Sequence, residues 1–135
     1  MITWNQQFAT GFEKIDQQHR VLIANVNHLE GLLHSTCPTR EECEFVVYLV
    51  DFLETYANVH FQQEEGCMAK YRCPARAQNM LGHENFLGLF RDYKQRVAAE
   101  GFTVDLLRKL HADTSSWING HILKIDTQLR DVVPV

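Results

Sequence analysis

Apolar residues recur along this chain at spacings of three and four, in four separate stretches divided by turn-forming residues, and alternation with a period of two is absent. Leu22, Val26, Leu29 and Leu33 make the first stripe. It follows an N-terminal arm, residues 1–15, whose apolar anchors are Trp4, Phe8, Phe12 and Ile15. Asp16 reads as the cap of this helix and Cys37-Pro38 as its stop. Thr39 and Glu42 have the spacing of a capping box and open a second stripe through Val46, Leu49, Leu53, Tyr56 and Ala57 towards Gly66. Pro74 suits the first turn of a third helix, with Phe86, Phe90, Tyr93 and Val97 before Gly101. Thr103 can cap the fourth, which carries Leu107, Leu110, Thr114 and Trp117. The pattern predicts helices over 16–36, 40–66, 74–99 and 103–130, joined by short loops. The expected fold is all-α: one domain, 1–135, built as an antiparallel up-down-up-down four-helix bundle with an N-terminal arm.

Composition narrows the class without naming a function. At 45% hydrophobic and 22% charged residues the chain can build one core. A net charge of −4 with no basic run argues against nucleic acid and anionic membranes as partners. No apolar stretch approaches the roughly 18 residues of a membrane span, and the N-terminus lacks the pattern of a signal peptide. The four cysteines, Cys37, Cys43, Cys67 and Cys73, read as free thiols of a reducing compartment. The expected location is therefore cytoplasmic.

Extending each apolar stripe brings ionisable residues into line with the core. His19 joins the leucines of the first helix. His60 and Glu64, one turn apart, fall on the buried face of the second. Asn79 and His83 do the same on the third, and His121 on the fourth, with Asp126 just beyond. In an alternating bundle, the starts of helices one and three share an end with the finishes of two and four, so all seven positions converge on one level. Unpaired buried charges cost several kcal/mol each, and a cation is the natural common partner. Four imidazoles and two carboxylates exceed what one tetrahedral zinc needs. Mixed nitrogen and oxygen donors suit iron or manganese, with carboxylates able to bridge two ions. The E-x-x-H motif of ferritin-like oxidases does not occur in the chain. His28, His34 and His111 lie off the stripes and are expected to be solvated. Glu65 and Glu84 adjoin donor positions but point about 100° away, and Cys67 and Cys73 are expected to be inert thiols.

These residues resemble the bacterial hemerythrin domain, and the resemblance covers nearly the whole chain. It runs from Trp4, Phe8 and Gly11 through Ile15-Asp16-Gln17-Gln18-His19, then His60-Phe61-Gln62-Gln63-Glu64-Glu65 and the Tyr71–Pro74 turn, to the segment from Trp117 to Asp126. The resemblance implies a non-haem centre of two iron ions that binds O2 reversibly as peroxide. Glu64 and Asp126 would bridge the irons together with an oxo or hydroxo group. His19 and His60 would hold the iron with the open site, and His83 and His121 the other. Phe61, Trp117, Ile118 and Ile122 would line an apolar O2 pocket. Five residues separate His121 from Asp126, about 140° on a regular helix, so a locally widened π-type turn is expected there.

The chain departs from the family pattern at one position. Where the family has H-x₃-H on the third helix, this sequence has Asn79-x₃-His83. An amide oxygen is a weaker, neutral donor, so Asn79 is expected to ligate weakly or to leave a water in its place. Each iron would then keep two histidines, and both would have an exchangeable position. That shifts the expectation from long-lived O2 storage towards redox or gas sensing, with NO, azide and peroxide as further ligands. Such domains serve as input modules of diguanylate cyclases and chemoreceptors, and the Val132-Val133-Pro134-Val135 ending suggests a C-terminal output domain. A non-enzymatic binding or sensing domain is the first expectation. The alternatives are a di-iron peroxidase or oxidase working at the site opened by Asn79, or a simple O2 carrier.

Overall fold

The four stripes fold into four helices that close a ring. A computed structural model describes residues 1–34 and 39–134. A 3-10 turn at Gln6–Phe8 leads to helix α1 (Glu13–Gly31), and a second such turn (Leu32–His34) follows it. Helices α2 (Arg40–Lys70), α3 (Arg76–Glu100) and α4 (Val104–Lys124) come next, and a 3-10 segment, Asp126–Val132, ends the fold. Each helix packs against the next, and α4 packs back on α1. The result is a four-helix bundle. No helix among the described residues is long and apolar enough to cross a membrane.

Local chemistry explains most of the helix ends. Thr39 Oγ1 accepts from the backbone N–H of Glu42 at 3.1 Å, while Glu42 Oε1 accepts from that of Thr39 at 3.0 Å, closing the capping box. Thr103 caps α4 through the N–H of Leu106. Gly101 stops α3 with φ +84°, a backbone angle that a side chain would disfavour.

All four helices have a boundary that differs from the sequence expectation. First, α1 starts at Glu13, and Asp16 is not its cap. The buried Asp16 carboxylate instead accepts from the backbone N–H of Thr10 at 2.8 Å and from its hydroxyl at 2.9 Å, tying the arm to the helix. A carboxylate satisfied by the arm is not available to the first turn. The helix ends at Gly31, and the expected stop at Cys37-Pro38 lies outside the described residues. Second, α2 continues one turn past Gly66. Third, Pro74 sits in the turn ahead of α3 rather than in its first turn. Fourth, α4 ends at Lys124, well short of residue 130.

The core is divided. The larger cluster fills most of the bundle and includes Leu22, Val26, Leu53, Phe86, Phe90 and Leu107. A smaller one, Ile15, Met68, Cys73, Ala75 and Leu129, closes one end. Ile15, Met68 and Ala75 lie four residues, one turn, from His19, Glu64 and Asn79, on the side nearer the helix end. The polar residues therefore occupy a layer between two apolar ones. Leu53, with no exposed surface in the middle of α2, tests the larger cluster. Leu53→Ala should cost about 2–5 kcal/mol by leaving a cavity, read as a lower urea midpoint at unchanged slope.

Candidate metal centre

All seven polar residues of that layer are buried: His19, His60, Glu64, Asn79, His83, His121 and Asp126. Helix geometry puts them there. His60 and Glu64 are one turn apart late in α2, Asn79 and His83 one turn apart early in α3, and the antiparallel arrangement stacks these ends. His19 comes from the second turn of α1 and His121 from the last turn of α4.

Every imidazole presents Nε2 to a carboxylate. Glu64 Oε2 lies 2.9 Å from His19 and 3.2 Å from His60, while its Oε1 lies 3.1 Å from His83. Asp126 repeats the arrangement, with Oδ2 3.1 Å from His19 and Oδ1 3.2 Å from His121. Each carboxylate thus splits its two oxygens between different histidines. The donor atoms of His19, His60 and Glu64 lie within 4.8 Å of one another, as do those of Glu64, His83, His121 and Asp126. Glu64 belongs to both groups.

Asp126 reaches this position without a widened turn. The helical bond from the N–H of Ile125 to the carbonyl of His121 is intact at 2.9 Å, and the backbone then changes direction at Ile125 (φ −112°, ψ −58°). Asp126 begins the 3-10 segment. Ending the α-helix supplies the rotation that a regular helix could not, so the expected π-bulge is replaced by a helix end.

Asn79 sits inside the layer, fully buried. Its Nδ2 donates to Glu64 Oε1 at 2.8 Å and contacts Met68 Sδ at 3.3 Å. An ionised carboxylate only accepts, which turns the amide oxygen the other way, to 2.5 Å from His121 Nε2.

Electrostatics fit a cation-binding layer. Burial opposes the charged form of His19, but hydrogen bonding and attraction from Asp126 and Glu64 outweigh it and push the pKa up to about 10. Burial likewise opposes ionisation of Glu64, and the hydrogen bonds of His19, His60 and His83 overcome it, holding the carboxyl well below its ordinary range. His83 is raised by Glu64 and Glu65 against its own burial, whereas at His60 burial prevails and the pKa falls. A metal ion bound at these nitrogens would displace any protons they carry. Asp126 Oδ1 is also buried without any hydrogen bond, although His121 Nε2 is near. A cation shared by the two would satisfy it. The donor set fits metal.

Around the layer, Phe61 stacks on His83 (3.8 Å between ring centroids, 8° between planes) and Trp117 on His121 (4.0 Å, 13°). Ile118 and Ile122 are buried beside them and Trp117 is half-buried. Of the histidines set aside, His28 and His34 are exposed. His111 is not solvated as expected but half-buried, and burial lowers its pKa.

Four contributors were not legible in the stripes. Gln18 Oε1 accepts from His60 Nδ1 at 2.6 Å, and Gln63 in turn holds the Gln18 amide. Glu65 was set aside as pointing away, yet its Oε2 accepts from His83 Nδ1 at 2.7 Å. Gly82 faces α4, and a Cβ placed there would come within 2.3 Å of His121 Cε1. Glu84 stays outside, 3.9 Å from Arg91 at the surface.

Residues 10–132 match the model of the hemerythrin HHE cation-binding domain. The chain belongs to the hemerythrin family. A bacteriohemerythrin of Stenotrophomonas maltophilia is 29% identical over 98% of this chain and 82% of its own length. One of Clostridium acetobutylicum is 25% identical over 97% and 100%, respectively. The hemerythrin subunit beta of Lingula reevii is 26% identical over 88% of this chain and 84% of its own. For a hemerythrin-family chain carrying this buried cluster of His, Glu and Asp, an iron-binding, oxygen-related function follows.

Proposed function

We propose that this hemerythrin-family domain holds two iron ions and binds O2 through them, in a form suited to sensing redox state or a diatomic gas. The observation that carries the reading is the sharing of Glu64 and Asp126, each of which directs its two oxygens at different histidines. His19 and His60 would hold one ion and His83 and His121 the other, with both carboxylates common to the pair. Bound iron supplies reversible O2 binding and the redox change that goes with it.

The protein's own contribution is arrangement and exclusion. Glu64 and Asp126 bring two negative charges into a layer sealed on one side by Met68, Ile15 and Leu129 and on the other by Phe61, Ile118 and Ile122. The apolar side chains above and below keep bulk water from the layer, which favours keeping a bound diatomic ligand intact. His60 and His83 each donate Nδ1–H outwards, to Gln18 and Glu65, which leaves Nε2 as the inward electron-pair donor. Asn79 offers the His121 side a neutral oxygen where the sequence pattern of the family has an imidazole. That weaker donor favours exchange, and with it sensing over storage. An input role in a larger signalling protein belongs to the same reading.

Anaerobic loading with ferrous iron, followed by metal analysis and optical spectra before and after O2, tests the proposal. Two irons per chain and a visible band that appears with O2 are expected. One iron or none would overturn the di-iron reading. Asn79→His, to which the flexible Met68 side chain can adapt, should slow oxidation of the loaded protein several-fold after O2 is admitted. An unchanged rate would mean that Asn79 does not limit oxidation.

A further inference from the structure

We infer that Glu65 is a positioning residue for the ion at His83, and that its negative charge offsets the neutral donor Asn79 on the same side of the centre. This rests on the di-iron reading above.

The outer partners of the imidazoles are unequal. His83 Nδ1 has a carboxylate, Glu65 Oε2 at 2.7 Å. His60 Nδ1 has the neutral amide oxygen of Gln18 at 2.6 Å. His19 Nδ1 is buried with no partner. A carboxylate behind an imidazole makes it a stronger donor through its other nitrogen and fixes its orientation, and an amide does so less. The strongest outer partner is therefore on the side where the inner donor set is weakest. Asn79 and His83 are one turn apart on α3, and Asn79 brings no charge while its Nδ2 draws on Glu64 Oε1. Glu65 reaches across from α2, next in sequence to Glu64, so one dipeptide serves the centre from within and from behind. Phe61, stacked on the His83 ring, leaves it little freedom to turn, so the hydrogen bond acts on a ring already held in plane.

The physical consequence is coupling between positions 65 and 79. Removing the charge of Glu65 should weaken one iron, and supplying an imidazole at 79 should make that loss matter less. Wild type, Glu65→Gln, Asn79→His and the double variant would be loaded anaerobically with ferrous iron and exposed to an excess of a strong ferrous chelator. Gln keeps an acceptor oxygen and removes only the charge, and far-UV circular dichroism reports whether each variant folds. Glu65→Gln is expected to release one iron per chain about 10- to 100-fold faster and the other at the wild-type rate. In the Asn79→His background the acceleration should shrink to about threefold or less. Equal acceleration of both irons, or none, overturns the inference while leaving the di-iron reading intact, as does an effect of the same size in both backgrounds. A wild type that never holds two irons overturns both.

Discussion

Glu64→Ala should come out of anaerobic iron loading with neither metal position filled. No other side chain in the layer touches as many partners: Oε2 faces His19 and His60, and Oε1 faces His83 and the Asn79 amide. Removing it takes one donor from each proposed ion and half of the negative charge that draws two cations into an apolar interior. The remaining carboxylate, Asp126, reaches only His19 and His121. His60→Ala is expected to lose iron as well, whereas His28→Ala, exposed on α1, should keep two irons per chain. Retention of one iron in folded Glu64→Ala would mean that the carboxylate serves one ion alone. Equal loss in all three variants would remove the site assignment altogether.

Gly82→Ala is the second large effect, and it arises from a residue that donates nothing. Its new methyl would sit 2.3 Å from His121 Cε1 and 2.6 Å from Nδ1, closer than real Cβ atoms approach. The ring cannot retreat freely, because Trp117 is stacked on it at 4.0 Å. Nε2 is then displaced from its place near Asp126 Oδ1. The expected result is loss of one iron per chain with the other retained, and a stability cost of about 1–3 kcal/mol from overpacking. Gly120→Ala is the control. It neighbours His121 in sequence, but nothing lies within 4 Å of its added methyl. Replacing a helix-interior glycine there should raise stability by roughly 1 kcal/mol. Iron stoichiometry and urea unfolding of the two variants separate a steric effect on His121 from a general effect of helix propensity. If Gly82→Ala keeps both irons, His121 has another way to reach the metal.

Periodicity made the fold and the inner face of the site readable, because burial of a helix face is a repeating property and the spacing 60–64 or 79–83 is one turn. Capping chemistry was readable for the same reason: Thr39 with Glu42, and Thr103, act on their own neighbours. What was missed depends on contacts made outside the helix that carries the residue. Asp16 has the composition of a cap, but Thr10 of the arm takes its carboxylate. The angle from His121 to Asp126 showed that a regular helix would not do, and a helix end solves that problem as well as a bulge. Glu65 lies about 100° from the buried stripe of α2, yet a side chain at the border of one helix can cross the groove to the next. Gly82, one residue before His83, gave no signal in the stripes, since its reason is a ring on another helix.

The break at Ile125 has a consequence for how the layer can come apart. His19, His60, Glu64, His83 and His121 are carried on helices of 19 to 31 residues that share one core. Asp126 is carried on a seven-residue 3-10 segment. That segment is held by Leu129 in the smaller cluster and by Arg130, whose guanidinium donates to the carbonyls of Gln6, Gln7 and Ala9 in the arm. Segments with few buried contacts detach at lower free energy than the helices they rest on. The lifetime of the closed layer is therefore set by its shortest piece, and amide exchange in 126–132 and in the arm should run together, ahead of the bundle.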